Sequence, residues 1–429
     1  MIIVKKYLLV IAIFMTIPCM SEIDYKQASA YIEEYNQICN SNKWQIWPSS
    51  LCSPILLVNP KTREVIASEK DSHNKLIQNG NIYLTTLPDT VPIANTSINW
   101  LGTHWAMLIL PLPTNQQDRL SLMAHESLHQ NNDKQGISFT ETDNSHLNQI
   151  DGRFWLVLEL RALVQAFKSP EIEKDRHLQN ALIFREYRYR LYPNAKTSEM
   201  ELERNEGLAE YTGIRVGNNI KNVFKKVEQI QNNSLERSFA YLTGPLYGLL
   251  LDDYNNDWKL NISNTFSFSE KLSSSINFTI GNVEKEEINK LAQQYHSQEL
   301  LKKELSRQIE TKQKIAKHKK HFVSSQHIEI PLHNMKMSFN PNSVFNLKNL
   351  GTVYFPLTVI DDWGKIVIKK GGGLINKNYT KLTVNAENYK RSDVPIGIIE
   401  NDEWSLNLNP DWKIHSLGNN YYIQKETND

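Results

Sequence analysis

The chain has 429 residues, 40% of them apolar and 22% charged, enough to bury a sizeable core across two or three domains. Its formal net charge is +1 and its aromatic residues are not interleaved with basic clusters, which argues against nucleic acid as a partner. Residues 1–21 have the layout of a secretory signal peptide: Lys5-Lys6, an apolar run from Tyr7 to Ile17, then Pro18-Cys19-Met20-Ser21. That run is too short for a comfortable membrane span, and Ile17-Pro18 before Cys19 argue against a lipoprotein anchor. No other stretch is long and apolar enough to cross a bilayer. The mature chain is therefore expected in the periplasm or outside the cell, with no stable membrane span. Its two remaining cysteines, Cys39 and Cys52, then enter a compartment that permits disulfides, and their spacing leaves open whether they pair.

Residues 22–113 read as a mixed α/β part, with a helix over Tyr25 to Cys39 and short strands such as Pro54 to Val58 and His104 to Leu110. Residues 114–260 turn helical. Thr114-Asn115-Gln116-Gln117 spells a capping box for a helix running through His129, and Phe154 to Leu163 repeats apolar residues at helical spacing. Ser169-Pro170-Glu171 opens another helix, and a further one holds Glu206 and ends near Gly213 or Gly217. Residues 261–326 form a charged helical connection whose lysines, Lys312 to Lys320, read as the solvated face of a long surface helix. From residue 327 to 429, short alternating runs broken by Asp361-Asp362-Trp363-Gly364 and Gly371-Gly372-Gly373 predict a separate β-rich domain.

The sharpest chemical signal is His125-Glu126-Ser127-Leu128-His129. Residues four apart on a helix lie one turn apart on one face, so both imidazoles can reach one ion while Glu126 points toward the same cleft. A catalytic zinc needs a third protein ligand and an open fourth position. Asn205-Glu206-Gly207-Leu208-Ala209 supplies a candidate, with Gly207 expected to let the second helix approach the first.

These segments resemble the gluzincin metallopeptidases, notably the aminopeptidase-N-like branch, whose third ligand is the Glu of an N-E-G-F-A segment; only Leu208 departs from it. The resemblance covers roughly residues 100–253. It implies Zn2+ held by His125, His129 and Glu206, with Glu126 as general base. Tyr241-Leu242-Thr243-Gly244 looks like the family's Y-x-K-G, with Thr243 for Lys, which implies that Tyr241 donates to the oxyanion; Tyr247 is an equally phenolic alternative. His104 to Leu110 resembles the edge strand that lines the cleft, and reads equally as a buried core strand.

The third ligand usually follows the second His by about twenty residues, whereas here the separation is 206 − 129 = 77. A helical insertion has to fill the gap. It contains Glu159 beside Arg161, and a carboxylate in so apolar a run is either the true third ligand, a group orienting a ligand His, or the partner of an arginine. Glu210, one turn beyond Glu206, is a further supporting candidate. The expectation is an α+β chain: a zincin-like catalytic core, made of a small sheet plus helices with a helical insertion, followed by the β-rich domain. Its expected activity is zinc-dependent hydrolysis of a peptide or protein substrate, with no redox cofactor and the oligomeric state open. Two alternatives remain: the same site acting on another amide or ester such as cell-wall peptide, or a non-catalytic surface or scaffold protein with a zincin core.

Overall fold

The computed structural model describes residues 24–426 apart from 42–44, 89, 138, 141, 231–233, 340–342, 348, 388 and 390–397. Residues 1–21, read as a signal peptide, lie outside the described residues. The chain is mixed α/β, with helices in its middle and a β-rich C-terminal region, and its described residues divide into two compact units between Glu304 and Leu305.

The first unit opens with α1 (Tyr25–Cys39), capped by Asp24, whose carboxylate accepts from the Gln27 N–H. A six-stranded sheet comes next: β1 (Ile55–Val58), β2 (Glu64–Ala67), β3 (Ile77–Asn79), β4 (Ile82–Thr86), β5 (Thr96–Trp100) and β6 (Thr103–Ile109), in the order β3-β4-β2-β1-β6-β5. Only β1 and β6 run parallel. Alternation along the central strands splits their apolar residues between two cores. Ile55, Leu57, Ala106 and Leu108 join the helices, while Leu56, Val58, Trp105 and Met107 pack with Leu76 and Leu87 on the other face.

This sheet decides between the two readings of the His104 run. The His104 run is not an edge: β6 is hydrogen-bonded to β1 on one side and β5 on the other, and Trp105 to Leu108 are fully buried. A strand apolar on both faces belongs inside a sheet. The edge beside it is β5, whose burial is only partial.

The helical part comprises α2 (Gln116–Lys134), α3 (Ile150–Lys168), α4 (Glu171–Leu191), α5 (Ala195–Leu202), α6 (Leu208–Gly217), α7 (Ile220–Glu228), α8 (Ala240–Tyr254), α9 (Phe268–Ser275) and α10 (Lys285–Gln293). The cap of α2 is Asn115, one residue later than the sequence suggests; its side chain accepts from the Asp118 N–H. The segment expected as one long helix is two, because His296 takes a left-handed conformation (φ 57°) between α10 and α11 (Ser297–Lys319). The lysines of α11 are solvated as expected, while Ile288, Ala292, Tyr295 and Leu300 belong to the core of the first unit.

In the second unit β7 (His327–Pro331), β8 (Lys336–Phe339), β9 (Val344–Asn346), β10 (Thr352–Tyr354), β11 (Leu357–Asp361), β12 (Gly364–Ile368), β13 (Gly373–Ile375), β14 (Lys381–Asn385), β15 (Ile398–Glu400), β16 (Trp404–Leu408), β17 (Trp412–Leu417) and β18 (Asn420–Lys425) form two sheets. Their orders are β17-β18-β7-β14-β13-β10-β9 and β15-β16-β12-β11-β8. One core joins residues of both, including Ile328, Leu382 and Val384 from the first and Val359, Ile366 and Trp404 from the second.

Cys39 and Cys52 are joined by a disulfide that ties the end of α1 to the approach of β1, 13 residues on. Closing a loop of that size stabilises by about 3 kcal/mol, chiefly by restricting the unfolded chain. The Cys39→Ser, Cys52→Ser double variant should accordingly lose about 100-fold of hydrogen-exchange protection in the slowest amides of α1 and β1. Unchanged protection there would show that the bridge contributes nothing to the unit's stability.

Candidate metal centre

Helix α2 is pinned from behind. Ser127, between the two histidines of the motif, hydrogen-bonds Tyr35 Oη of α1 at 2.9 Å, and that hydroxyl also accepts from the Ser53 N–H at 2.7 Å. Gln130 accepts from Ser53 Oγ at 2.8 Å and donates to the His104 carbonyl at 3.0 Å, tying the helix to β6. With Ser127 and Gln130 turned to these partners, His125 and His129 fall on the face turned toward α6.

The two helices meet backbone to backbone. A Cβ on Gly213 would lie 2.6 Å from the Ser121 carbonyl oxygen, and one on Gly217 would lie 2.5 Å from that of Gln117. The run is antiparallel, so Gly217, Gly213, Glu210 and Glu206 stand against Gln117, Ser121, His125 and His129 in turn. The glycine adjacent to Glu206 does not make this approach, contrary to expectation. Gly207 faces α8 instead, where a Cβ on Gly244 would come 2.4 Å from the Gly207 Cα. It lies one residue further round the helix than Glu206 and so points to a different neighbour.

Between α5 and α6 the helix widens into a π turn over Glu203–Gly207, which contains Glu206. The extra residue rotates α6 by roughly a quarter turn relative to an unbroken α-helix. Glu199 and Glu203 therefore address α4 while Glu206 and Glu210 address α2.

His125, His129 and Glu206 each offer a ligand atom within 4.8 Å of the others, a set able to hold a metal ion. The two Nε2 atoms are 3.1 Å apart, and Glu206 Oε2 lies 3.6 Å from that of His125 and 3.5 Å from that of His129. Glu210 Oε2 takes the Nδ1 side of His125 at 3.0 Å, which leaves Nε2 to face the centre. Tyr241 stacks its ring on His125, centroids 5.7 Å apart, and donates its hydroxyl to Glu206 Oε2 at 2.5 Å. Arg237, which the motifs do not include, donates to the other oxygen, Glu206 Oε1, at 3.3 Å. No spacing rule singles out that arginine. Beside it opens a cavity of about 410 Å³ whose lining includes Asn205, Glu236 and Arg237.

Burial opposes every charge here, and the neighbours decide which survive. Burial alone would lower the proton affinity of His125, but hydrogen bonds to Glu206 and Glu210 outweigh it and push the pKa up to about 10. Burial would raise Glu206, yet the two imidazoles hold it well below the usual carboxylate range. Glu126 goes the other way: burial raises it more than the two imidazoles lower it, and its Oε2 is buried with no hydrogen-bond partner among the described residues. Burial and the Glu206 charge push the Tyr241 phenol up, so it remains a donor.

Glu159 is not at the centre. It is fully buried, accepting from Arg185 Nε at 2.6 Å, Arg188 Nη1 at 2.7 Å and Tyr247 Oη at 2.9 Å. Of the three roles weighed for it, it fills that of arginine partner, and the arginines are Arg185 and Arg188 rather than Arg161, which donates to the Tyr295 carbonyl. Tyr247 is thereby committed to the interior and is no alternative to Tyr241. Thr243, where the Y-x-K-G motif has Lys, is buried with its hydroxyl on the Phe239 carbonyl. No family model, no curated protein and no solved structure matches the chain.

The raised His125 pKa has a signed consequence for protein stripped of divalent metal. Because the folded value of about 10 exceeds the ordinary 6.5, the stabilisation from His125 is complete below about pH 6.5 and is lost as pH rises through about 10. An NMR titration should place the His125 inflection near pH 10, and Glu206→Gln should move it down. An inflection near 6.5 in the parent protein would show that the carboxylates do not hold the imidazolium.

Proposed function

We propose that the chain is a zinc metallopeptidase of gluzincin type with a zincin-like core, hydrolysing peptide bonds. The observation that carries this reading is the convergence of His125 Nε2, His129 Nε2 and Glu206 Oε2 close to a buried Glu126 carboxylate oxygen that has no hydrogen-bond partner among the described residues. A tetrahedral ion with bonds of about 2.1 Å needs ligand atoms about 3.4 Å apart. The separations of 3.1, 3.5 and 3.6 Å suit it. Two imidazole nitrogens and one carboxylate form a donor set of catalytic zinc, with a fourth position left for substrate or water.

When bound there, zinc supplies Lewis-acid polarisation of the scissile carbonyl and of the attacking water. Glu126 takes the proton of that water as its oxygen adds to the carbonyl carbon, and delivers the proton to the nitrogen as the C–N bond breaks. Its burial-raised pKa makes it the stronger base. Tyr241 turns its hydroxyl to the oxyanion of the tetrahedral intermediate, where charge develops. The open edge of β5 favours a peptide bound as an added strand. The Cys39–Cys52 disulfide favours an oxidising compartment, in accord with a periplasmic or extracellular protein.

The test is metal content with activity on a mixed peptide library. The parent chain should carry about one zinc, and His125→Ala or His129→Ala should empty the site. Glu126→Gln should keep zinc and fold but lose turnover by several orders of magnitude, because proton transfer and water activation fail together. Tyr241→Phe should cost about 100-fold or more in kcat. Full metal occupancy in both histidine variants, or unchanged hydrolysis by Glu126→Gln, would sink the reading.

A further inference from the structure

Five charged side chains, Glu159, Arg185, Arg188, Glu199 and Glu203, are buried together, each no more than 1% exposed. Arg185 forks onto Glu203 through Nη1 at 2.9 Å and Nη2 at 2.6 Å, and its Nε binds Glu159. Arg188 forks onto Glu199 through Nε at 2.8 Å and Nη2 at 2.6 Å, and its Nη1 binds the other oxygen of Glu159. His146 closes the far end on Glu199 Oε1 at 2.7 Å, and Arg188 with His146 holds Glu199 down to about 2 against its burial. Buried ion pairs of this kind are weak devices for stability, because desolvation consumes most of the Coulombic gain, but bidentate forks fix orientation.

The chain order shows which element they orient. Both arginines lie on α4, and Glu159 on α3, within the insertion that separates His129 from Glu206. Both gripped carboxylates lie on the two turns immediately before Glu206, Glu203 being the first residue of the π turn.

We propose that the α3–α4 insertion positions the metal centre, with Arg185 and Arg188 as positioning residues. By clamping Glu203 and Glu199 they fix the rotation of the π turn, so that Glu206 presents Oε2 to His125 and His129. The proposal rests on reading those three residues as the zinc site. It goes beyond that reading in giving the insertion a role in metal affinity rather than in folding alone.

The experiment measures Zn2+ affinity by chelator competition, and thermal stability, for the full chain, Glu203→Gln, Arg185→Met and a control. The control is Glu304→Gln, which cuts the buried Arg153–Glu304 pair (3.0 Å) joining the same α3 to α11. The clamp variants should lose about 10- to 100-fold in Zn2+ affinity, the range typical of groups that orient ligands. The control should lose stability while keeping parental affinity. Glu203→Asp, which retains the charge on a shorter arm, serves if Glu203→Gln does not fold; it should bind Zn2+ at least about tenfold more weakly and alter the visible spectrum of the Co2+-substituted protein. Parental affinity in folded Glu203→Asp and Arg185→Met, or an equal affinity loss in Glu304→Gln, overturns the proposal alone. A parent chain that takes up no Zn2+ overturns the zinc reading and the proposal with it.

Discussion

The separation of α2 from α6 is set where neither helix has a side chain to interpose, at Gly213 and Gly217 against the carbonyls of Ser121 and Gln117. Every distance at the candidate metal centre depends on that contact. Side chains bring helices no closer than about 8–10 Å, and an imidazole and a glutamate reaching across a wider gap would meet only at their tips. In the antiparallel register each four-residue step along α2 meets a step of three or four residues along α6 and the π turn before it. A slip of one turn, about 5.4 Å, in either direction would leave only one of Glu206 and Glu210 opposite a histidine. The glycines set the spacing, and the polar contacts of Ser127 and Gln130 behind α2 set its rotation.

Rotation of the opposite helix is a harder problem, since Glu206 and Glu210 must address α2 while the turns before them address α4. An unbroken α-helix would put Glu199, Glu203, Glu206 and Glu210 on nearly one stripe. The π turn divides that stripe into two pairs. One pair meets guanidinium groups in the interior, where both partners are fully committed, and the other meets imidazoles close to Glu126, whose buried Oε2 has no hydrogen-bond partner among the described residues. Like residues therefore do unlike work according to which side of one irregular turn they occupy.

Much of this was legible in the sequence. The i, i+4 histidines and the Asn205–Ala209 segment named three residues that the fold brings within 4.8 Å of one another, across 77 residues of chain. Helical periodicity placed α1 and the helical run that carries both motifs. What was not legible depends on which neighbour a face meets. Gly207 was assigned to the wrong neighbour because a spacing says that a residue is small, not where its missing side chain would point. The His104 run could be a core strand or an edge until the sheet order was known, and only pairing with both β1 and β5 decides it. Glu159 advertised a need for a partner. The signal that would have supplied one is Arg185 and Arg188, about one turn apart and directly after the apolar stretch Ala181-Leu182-Ile183-Phe184.

The sheet order also bears on what the site can accept. With β6 paired on both sides, the open sheet edge next to α2 among the described residues is that of β5, whose inner edge is bonded to β6 in an antiparallel ladder. Gln130 fastens α2 to the carbonyl of His104, the residue paired with Asn99 of β5, so the helix bearing the histidines and the strand bearing the open edge are held by one hydrogen bond and one ladder step. If the site takes a peptide, as proposed, one added to β5 would be fixed relative to His129 by main-chain geometry, whatever its side chains. On the proposed reading, discrimination among peptides would fall to the walls beyond the strand, among them the polar cavity beside Arg237. On that same reading, recognition of the backbone would fall to β5 and recognition of the side chain to the walls of the cavity that includes Asp143, Asn205 and Arg237.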